Sequence, residues 1–354
     1  MKIAIDCRML NNSGIGNVLK SILALLPKKH TYLLIGEGNK LKEYVSDTIS
    51  VLDCSIPIFS VKELFCFPVK TVNKCDVFFS PNYNLPLFIH VKKYCMIHDV
   101  VFLDVKNLVG KIGCIIRYLY LFRAILISKT VFTVSKFSKS RIVKYFGHSK
   151  KIKIINNPIP LPLKKEFSAL KKRKETEPYF IYVGNVKKHK GIDVLIEAFK
   201  NLPDKNIKLY IVGKKDSFKT SLEKRNLQLN ENIIFTGYVD DNTLYNLIYN
   251  AKALIQPSIY EGFGIPPLEA LYLGVPAIIS DIPVFKEIYG TLPVTFFKCA
   301  DSADLVSKME NIVPVNINRK KLEEQFDFKI SEKIIFGEIE NDRTIKSADS
   351  RGCF

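Results

Sequence analysis

Residues 253–274 read ALIQPSIYEGFGIPPLEALYLG. ALIQPS (253–258) has the near-continuous apolar character of a buried strand, and YEGFG (260–264) is a turn leaving its carboxyl end. PPLEALYLG (266–274) then reads as a helix. Its prolines stand in the first turn, where a missing N–H costs least, and Gly274 suits its C-terminal cap. The N–H groups of Phe263, Gly264 and Ile265 are expected to point outward at the positive helix end, a setting that suits phosphate. Pro266 and Pro267 cannot donate, so the donors must precede them. Glu261 and Glu269 lie eight positions apart around this turn. A phosphate would repel both acids, so their own partners should be neutral and rich in hydroxyls, as sugars are. One acid is placed to clamp a ribose, the other to hold a second sugar.

The same strand–turn–helix grammar extends outward. Strands are expected at 179–184, 208–213, 232–237, 253–258, 276–280 and 293–297, with helices at 191–201, 218–227, 241–250, 266–273 and 301–311. In the first half, strands read at 2–6, 31–36, 76–80, 93–98 and 129–135, with helices at 17–27 and 136–146 between them. Val-, Ile- and Phe-rich strands alternating with helices predict parallel sheets covered on both faces. The Pro-rich, charged stretch 158–178 separates the halves and reads as a linker. The expected organisation is an N-terminal domain over 1–160, a linker over 161–178, a C-terminal domain over 179–325 and a tail over 326–354. The tail has room for a short helix returning to the first domain, and 342–354 reads as unstructured. Two such α/β domains would face one another across a deep cleft, with ligands at the carboxyl ends of the strands.

A chain of 354 residues suits two domains. Its formal charge of +18 favours an anionic partner: nucleic acid, an acidic membrane surface or a phosphorylated ligand. The basic residues are scattered, with small knots at 171–174 and 186–190, which suits a basic surface better than a nucleic-acid-reading helix. The eight cysteines form no CxxC pair and sit mostly in apolar runs, as buried reduced thiols of a cytosolic protein do; no metal site is expected. MKIAIDCR is too short and too charged for a signal peptide. The segment KIGCIIRYLYLFRAILISKT (111–130) is apolar, but Arg117 and Arg123 divide it. Two readings stand beside one another: a largely buried helix, or an amphipathic helix resting on a bilayer with Lys111, Arg117, Arg123 and Lys129 near lipid phosphates.

Taken together, the motifs resemble the retaining GT-B glycosyltransferases of family 4, the glycosyl transferases group 1. YEGFGIPPLE (260–269) is similar to that family's E-x7-E motif. DCRMLNNSGIG (6–16) resembles its N-terminal glycine loop, and DVFFSPNYNLP (76–86) with IHDV (97–100) its N-domain signatures. TVSKFSKSRI (133–142), YVGNVKKHKGIDVLIEAF (182–199), FTGYV (235–239) and SDIPVFKEIYG (280–290) continue the series in order. The resemblance implies transfer of a sugar from a nucleoside-diphosphate sugar with retention, GDP-mannose being the first guess. Glu269 would bind the donor ribose and Glu261 the donor sugar. Gly262, Phe263, Gly264 and Ile265 would offer backbone contacts to sugar and diphosphate. Gly16 would let the N-terminal loop approach the diphosphate, and Lys190 would neutralise the leaving group. His98 would sit beside the transferred sugar and Val239 would frame the base. Asn185 stands where many members carry an Arg, so the positive charge would rest on Lys190, helped by Lys187 or Lys188.

By themselves these features say less: His98 reads as a core histidine, Lys190 as a solvated charge, SGIG as an ordinary turn. The chain has no Asp-x-Asp pair, so no metal and no other cofactor is expected. A nucleotide-sugar epimerase or phosphorylase of the same fold is the nearest rival. A nicotinamide enzyme would need G-x-G-x-x-G, and SGIGN lacks that spacing; a non-catalytic nucleic-acid binder lacks a recognised module. The basic surface and the 111–130 segment favour a lipid-linked saccharide acceptor at the inner face of the cytoplasmic membrane, as in bacterial surface-polysaccharide assembly, with no nucleic-acid partner.

Overall fold

The computed structural model describes residues 1–171, 177–213 and 231–349, with side chains up to 341 apart from Ser13. The chain divides into two compact units: Met1–Leu103, Val109–Pro158 and Asp327–Phe354 form the first; Asp104–Leu108 and Ile159–Phe326 form the second.

The first unit is built on β1 (Lys2–Asp6), β2 (Thr31–Gly36), β3 (Ile49–Asp53), β4 (Val77–Ser80), β5 (Lys92–Met96), β6 (Thr130–Thr133) and β7 (Ile152–Ile154). Their order is β3-β2-β1-β4-β5-β6-β7, all parallel. The central strands β1, β4 and β6 are buried along nearly their whole length, which explains their unbroken apolar runs. β3 and β7 went unread in the sequence for the same physical reason. Each is an edge strand; ISVLD mixes half-exposed with exposed positions and IKI has three residues. Neither carries a clear apolar run or alternation.

The second unit holds β8 (Tyr179–Val183), β9 (Lys208–Val212), β10 (Ile233–Gly237), β11 (Ala253–Gln256), β12 (Ala277–Ser280) and β13 (Thr295–Phe297), in the parallel order β10-β9-β8-β11-β12-β13. All six coincide with the strands read from the sequence. So do the helices Ile192–Lys200, Asp241–Tyr249, Ile265–Tyr272 and Ser302–Glu310. The helix expected at 218–227 lies outside the described residues. The core under β8, β9 and β11 is filled by Leu195, Ile196, Phe199 and Leu209, all closely packed and buried.

Three expectations change. The stretch 161–178 is not linker throughout: Leu161–Glu166 is helical, Leu163 is buried, and the Phe167 ring packs against Tyr272 under the Arg319 guanidinium. It therefore belongs to the second unit. The tail carries one helix, Phe328–Asp349, longer than the short return read from FDFKISEKIIFGEIEN. Ile335, Phe336 and Ile339 are buried, the Phe336 ring meets Tyr32 edge-on, and Glu338 accepts from Thr130. Those apolar positions are too few and too spaced to announce a full helix. Their burial needs the flank of the first sheet, which only folding supplies. The third change concerns Lys111–Ile127. It is helical, but only Leu121, Ala124 and Ile125 are buried. Ile112, Ile115, Ile116, Leu119, Phe122 and Leu126 are exposed, so the reading as a largely buried helix does not hold. The sequence is apolar around the helix, while one face at most can meet the core. Arg123 does not reach outward to a lipid: its guanidinium donates to the Leu85 and Pro86 carbonyls. Among the described residues no helix is long and apolar enough to cross a membrane. Cys7, Cys54, Cys75 and Cys95 are buried thiols, whereas Cys66 is exposed and Cys114 and Cys299 are half-buried.

Candidate active site

The 253–274 stretch folds as its residues dictate. β11 delivers the chain to a turn, and the helix Ile265–Tyr272 starts with Pro266 and Pro267 in its first turn. Its end is a paired cap: Gly274 N–H donates to Leu271 O and Val275 N–H to Ala270 O, with Gly274 at φ +73°. Gly264 is obligatory. Its φ is +85°, and a Cβ there would lie 2.4 Å from the Phe285 ring. The Tyr289 hydroxyl donates to the Gly264 carbonyl and so fixes the turn from beneath. The N–H groups of Phe263, Gly264 and Ile265 donate to no described residue. At a helix start the first such donors have no intrahelical partner.

Against this turn stands the loop after β8. Gly191 has φ +67°, and a Cβ on it would lie 1.9 Å from the Pro257 carbonyl oxygen. Only glycine permits that approach. The two loops are also stitched by Ile259 N–H, which donates to His189 O at 2.9 Å. The result places Lys190 Nζ 2.6 Å from Glu261 Oε1. Ser258 Oγ and Gln256 Nε2 donate to that same oxygen at 2.9 and 3.2 Å. None of these bonds uses Oε2. Burial works to raise the Glu261 pKa, but the Lys190 charge, its hydrogen bond and that of Ser258 outweigh it and hold the carboxyl below its ordinary range. Glu261 is therefore a buried carboxylate with one oxygen engaged by the protein.

Glu269 is the opposite case. It is 4 % exposed, and no described residue hydrogen-bonds its side chain. Burial, with the Asp241 charge added, pushes its pKa up to about 8. Two acids in one motif are thus held in different protonation states by their surroundings, the pattern by which a fold assigns different tasks to identical groups.

The other expected residues fall as follows. Asn185 is exposed on the β8 loop, its carbonyl accepting from Tyr182; Lys187 and Lys188 are exposed on the same loop. Val239 is half-buried in the turn between β10 and the helix Asp241–Tyr249. His98 and Gly16 belong to the first unit. His98 follows β5; its Nε2 lies 3.0 Å from Pro81 O, and burial lowers its pKa, so the ring is neutral and Nε2–H donates. At Gly16 a Cβ would lie 2.3 Å from the Leu10 carbonyl oxygen, so the packing of the loop itself already requires a glycine there. The loop folds back on the first turn of its own helix, Ser13–Ala24.

Sequence reading missed His189, Gln256 and Ser258. His189 is 7 % exposed between two lysines, its Nδ1 has no partner among the described residues, and burial with the Lys190 charge lowers its pKa to about 4. In sequence it is one letter of a basic knot. Gln256 ends β11 and Ser258 stands two residues beyond it, and that spacing beside a following Glu was the available signal.

Both units share the architecture of GT-B glycosyltransferases. HepE from Anabaena, solved with UDP and glucose, superposes with a TM-score of 0.66 over 99% of this chain and 100% of that one, at 15% identity. The chain has the GT-B fold, and residues 164–326 match the family model of glycosyl transferases group 1. O-antigen chain mannosyltransferase RfbU from Salmonella typhimurium is 39% identical over 163 residues, 45% of this chain and 44% of RfbU. O-antigen chain mannosyltransferase B from Escherichia coli is 30% identical over 176 residues, 46% of each. The chain thus spans about half the length of the curated relatives it matches.

Proposed function

We propose that this protein is a retaining glycosyltransferase that moves a sugar from a nucleoside-diphosphate sugar, GDP-mannose first, to a lipid-linked saccharide in bacterial O-antigen or capsule assembly. The observation that carries the reading is the Lys190–Glu261 pair beside three backbone N–H donors with no described partner. A departing diphosphate gains negative charge. Lys190 and the N–H groups of Phe263, Gly264 and Ile265 would stabilise that charge in a largely desolvated place, where such donors act most strongly. Glu261 Oε2 would accept from a hydroxyl of the transferred sugar, and Glu269 would take the ribose. Val239 would border the base and Asn185 the phosphates. The donor guess is supported by the mannosyltransferase names of the sequence relatives, and nucleotide-sugar binding by HepE, solved with UDP and glucose. A panel of GDP-, UDP- and dTDP-sugars, scored for nucleoside diphosphate released with and without a lipid-linked saccharide acceptor, tests this. GDP-mannose should give acceptor-dependent release that persists in EDTA. Release indifferent to acceptor would favour an epimerase or phosphorylase, and an absolute magnesium requirement would contradict the metal-free scheme.

The acceptor side of the proposal places the chain on the cytoplasmic face of a membrane. Support comes from the charge of +18 and from the exposed apolar face of Lys111–Ile127, with Ile115 60 % and Leu119 57 % exposed beside Lys111 and Arg117. Apolar burial and attraction to anionic lipid act together in such helices, at about 1 kcal/mol per basic residue near the surface. The protein should co-sediment with anionic vesicles at low salt and come off as salt rises, and Ile115→Ser with Leu119→Ser should weaken binding on every composition. Equal recovery on neutral and anionic vesicles would remove the electrostatic part and make a soluble glycan the better acceptor.

A further inference from the structure

A second feature lies wholly in the first unit and is not used by the donor chemistry. Phe59 is 41 % exposed and adopts φ +56°, a left-handed backbone that a bulky residue rarely takes. Something must hold it there. Glu63, 1 % exposed, accepts from Phe59 N–H through Oε2 at 2.7 Å. Its Oε1 is taken by Arg8 at 2.6 Å and by Asn84 Nδ2 at 2.7 Å. Arg8 is in turn clamped by Asp6 at 2.6 Å. Ser60 caps the short helix Val61–Cys66 by accepting from Glu63 N–H, so the carboxylate is fixed at its backbone as well. A buried charge network thus spends its rigidity on one exposed aromatic residue. Backbone strain of this kind persists where the surroundings over-determine it, and it marks functional positions.

The Phe59 ring is not alone. The Tyr83 ring lies 5.1 Å away at 45°, and the Tyr120 ring 5.7 Å away at 82°. Both tyrosines are half-buried. Tyr83 feels Arg117 and Asp99, and Tyr120 feels Glu63 and Arg123: one charge of each sign at each ring. In a protein of charge +18, charges of both signs face this place. It offers ring faces, two hydroxyls and a rigid base. Such a combination suits a neutral, hydroxyl-rich ring whose C–H face stacks on an aromatic surface.

We infer that Phe59, Tyr83 and Tyr120 form a binding platform for a neutral saccharide, the terminal sugar of the acceptor chain, with Glu63 and Arg8 as positioning residues behind it. The inference rests on the reading that the chain transfers sugars; the platform chooses the acceptor and takes no part in donor binding.

Saturation-transfer NMR with mannotriose, maltotriose and tri-N-acetylchitotriose tests it, beside calorimetry with GDP and UDP. The wild-type protein should transfer saturation to the ring protons of one trisaccharide. Phe59→Ala and Tyr120→Ala should each cut that signal at least tenfold, and Phe59→Tyr, which keeps the ring, should retain it. Nucleotide affinity and the thermal midpoint should stay unchanged in all three. Glu63→Gln should weaken trisaccharide binding without touching the platform's own atoms, and Phe59→Gly, which relieves the strain but removes the ring, should not restore it. The platform is wrong if no trisaccharide receives saturation from the wild type, or if the signal survives the Phe59→Ala/Tyr120→Ala double change. Failure of the transferase reading looks different: neither nucleotide nor nucleotide sugar would bind, while Phe59-dependent trisaccharide binding would persist.

Discussion

Lys190→Ala should lower turnover by several orders of magnitude and also make the protein less stable. The two losses have different causes. In transfer, Lys190 is the side-chain cation that, among the described residues, pairs with Glu261 in the turn. Removing a single donor aimed at developing charge costs about 10²- to 10³-fold in comparable sites, and a full positive charge should cost more. In stability, the change strands Glu261, which is 8 % exposed and ionised because Lys190 is there. Breaking a buried pair by removing one partner costs about 3–5 kcal/mol. The Lys190 side chain keeps a fifth of its exposure, so water recovers part of this and about 2–3 kcal/mol is expected. The double change Lys190→Ala/Glu261→Gln separates the effects: stability should largely return, because no charge is stranded, while turnover stays lost. Denaturant unfolding beside steady-state rates reads both. Wild-type turnover in Lys190→Ala would remove Lys190 from the proposed chemistry.

Glu269→Gln should raise stability above neutral pH and weaken nucleotide binding at the same time. The folded state holds the Glu269 carboxyl at about 8, against an ordinary 4.5. Between those values the folded protein binds the proton and the unfolded chain does not. Stability from this group is therefore complete below about 4.5 and is lost as pH rises towards 8, at up to ~1.4 kcal/mol per pH unit. Gln carries no proton to lose, so the variant should lack that slope and overtake the wild type at high pH. Accepting ribose hydroxyl bonds as a carboxylate requires the opposite ionisation. GDP affinity of the wild type should thus rise with pH by up to about tenfold per unit until 8 and then level off. The diphosphate titrates too, but it does so equally in the variant, and the difference between the two profiles isolates Glu269. Parallel profiles would show that Glu269 does not ionise on binding. A carboxylate kept protonated until its ligand arrives is a stability sacrifice made for function, and such conflicts concentrate at sites.

Much of this could be read before folding. Strands β8, β11 and β12 were legible because they are buried and their apolar runs are therefore unbroken, while the half-buried edge strands β10 and β13 were legible from their Ile and Phe residues. The turn after β11 was legible because Gly264, Pro266, Pro267 and Gly274 each solve a backbone problem that few other residues solve. β3, β7 and the full length of Phe328–Asp349 were not, since half-exposed elements take their stability from neighbours that the local sequence does not name.

At the site, local spacing alone put two acids and a glycine turn on one strand–turn–helix unit; only the resemblance to glycosyl transferases group 1 attached the lysine-ended loop to them. Tertiary structure decided what each does. Glu261 and Glu269 are the same residue eight positions apart. One is ionised by Lys190, which lies 71 residues away in sequence and reaches it because Gly191 lets two loops touch. The other is protonated because helix Ile265–Tyr272 buries it near Asp241. Composition fixes how many charges a chain carries. Which of them survive burial depends on distance and desolvation, and those exist only once the chain has folded.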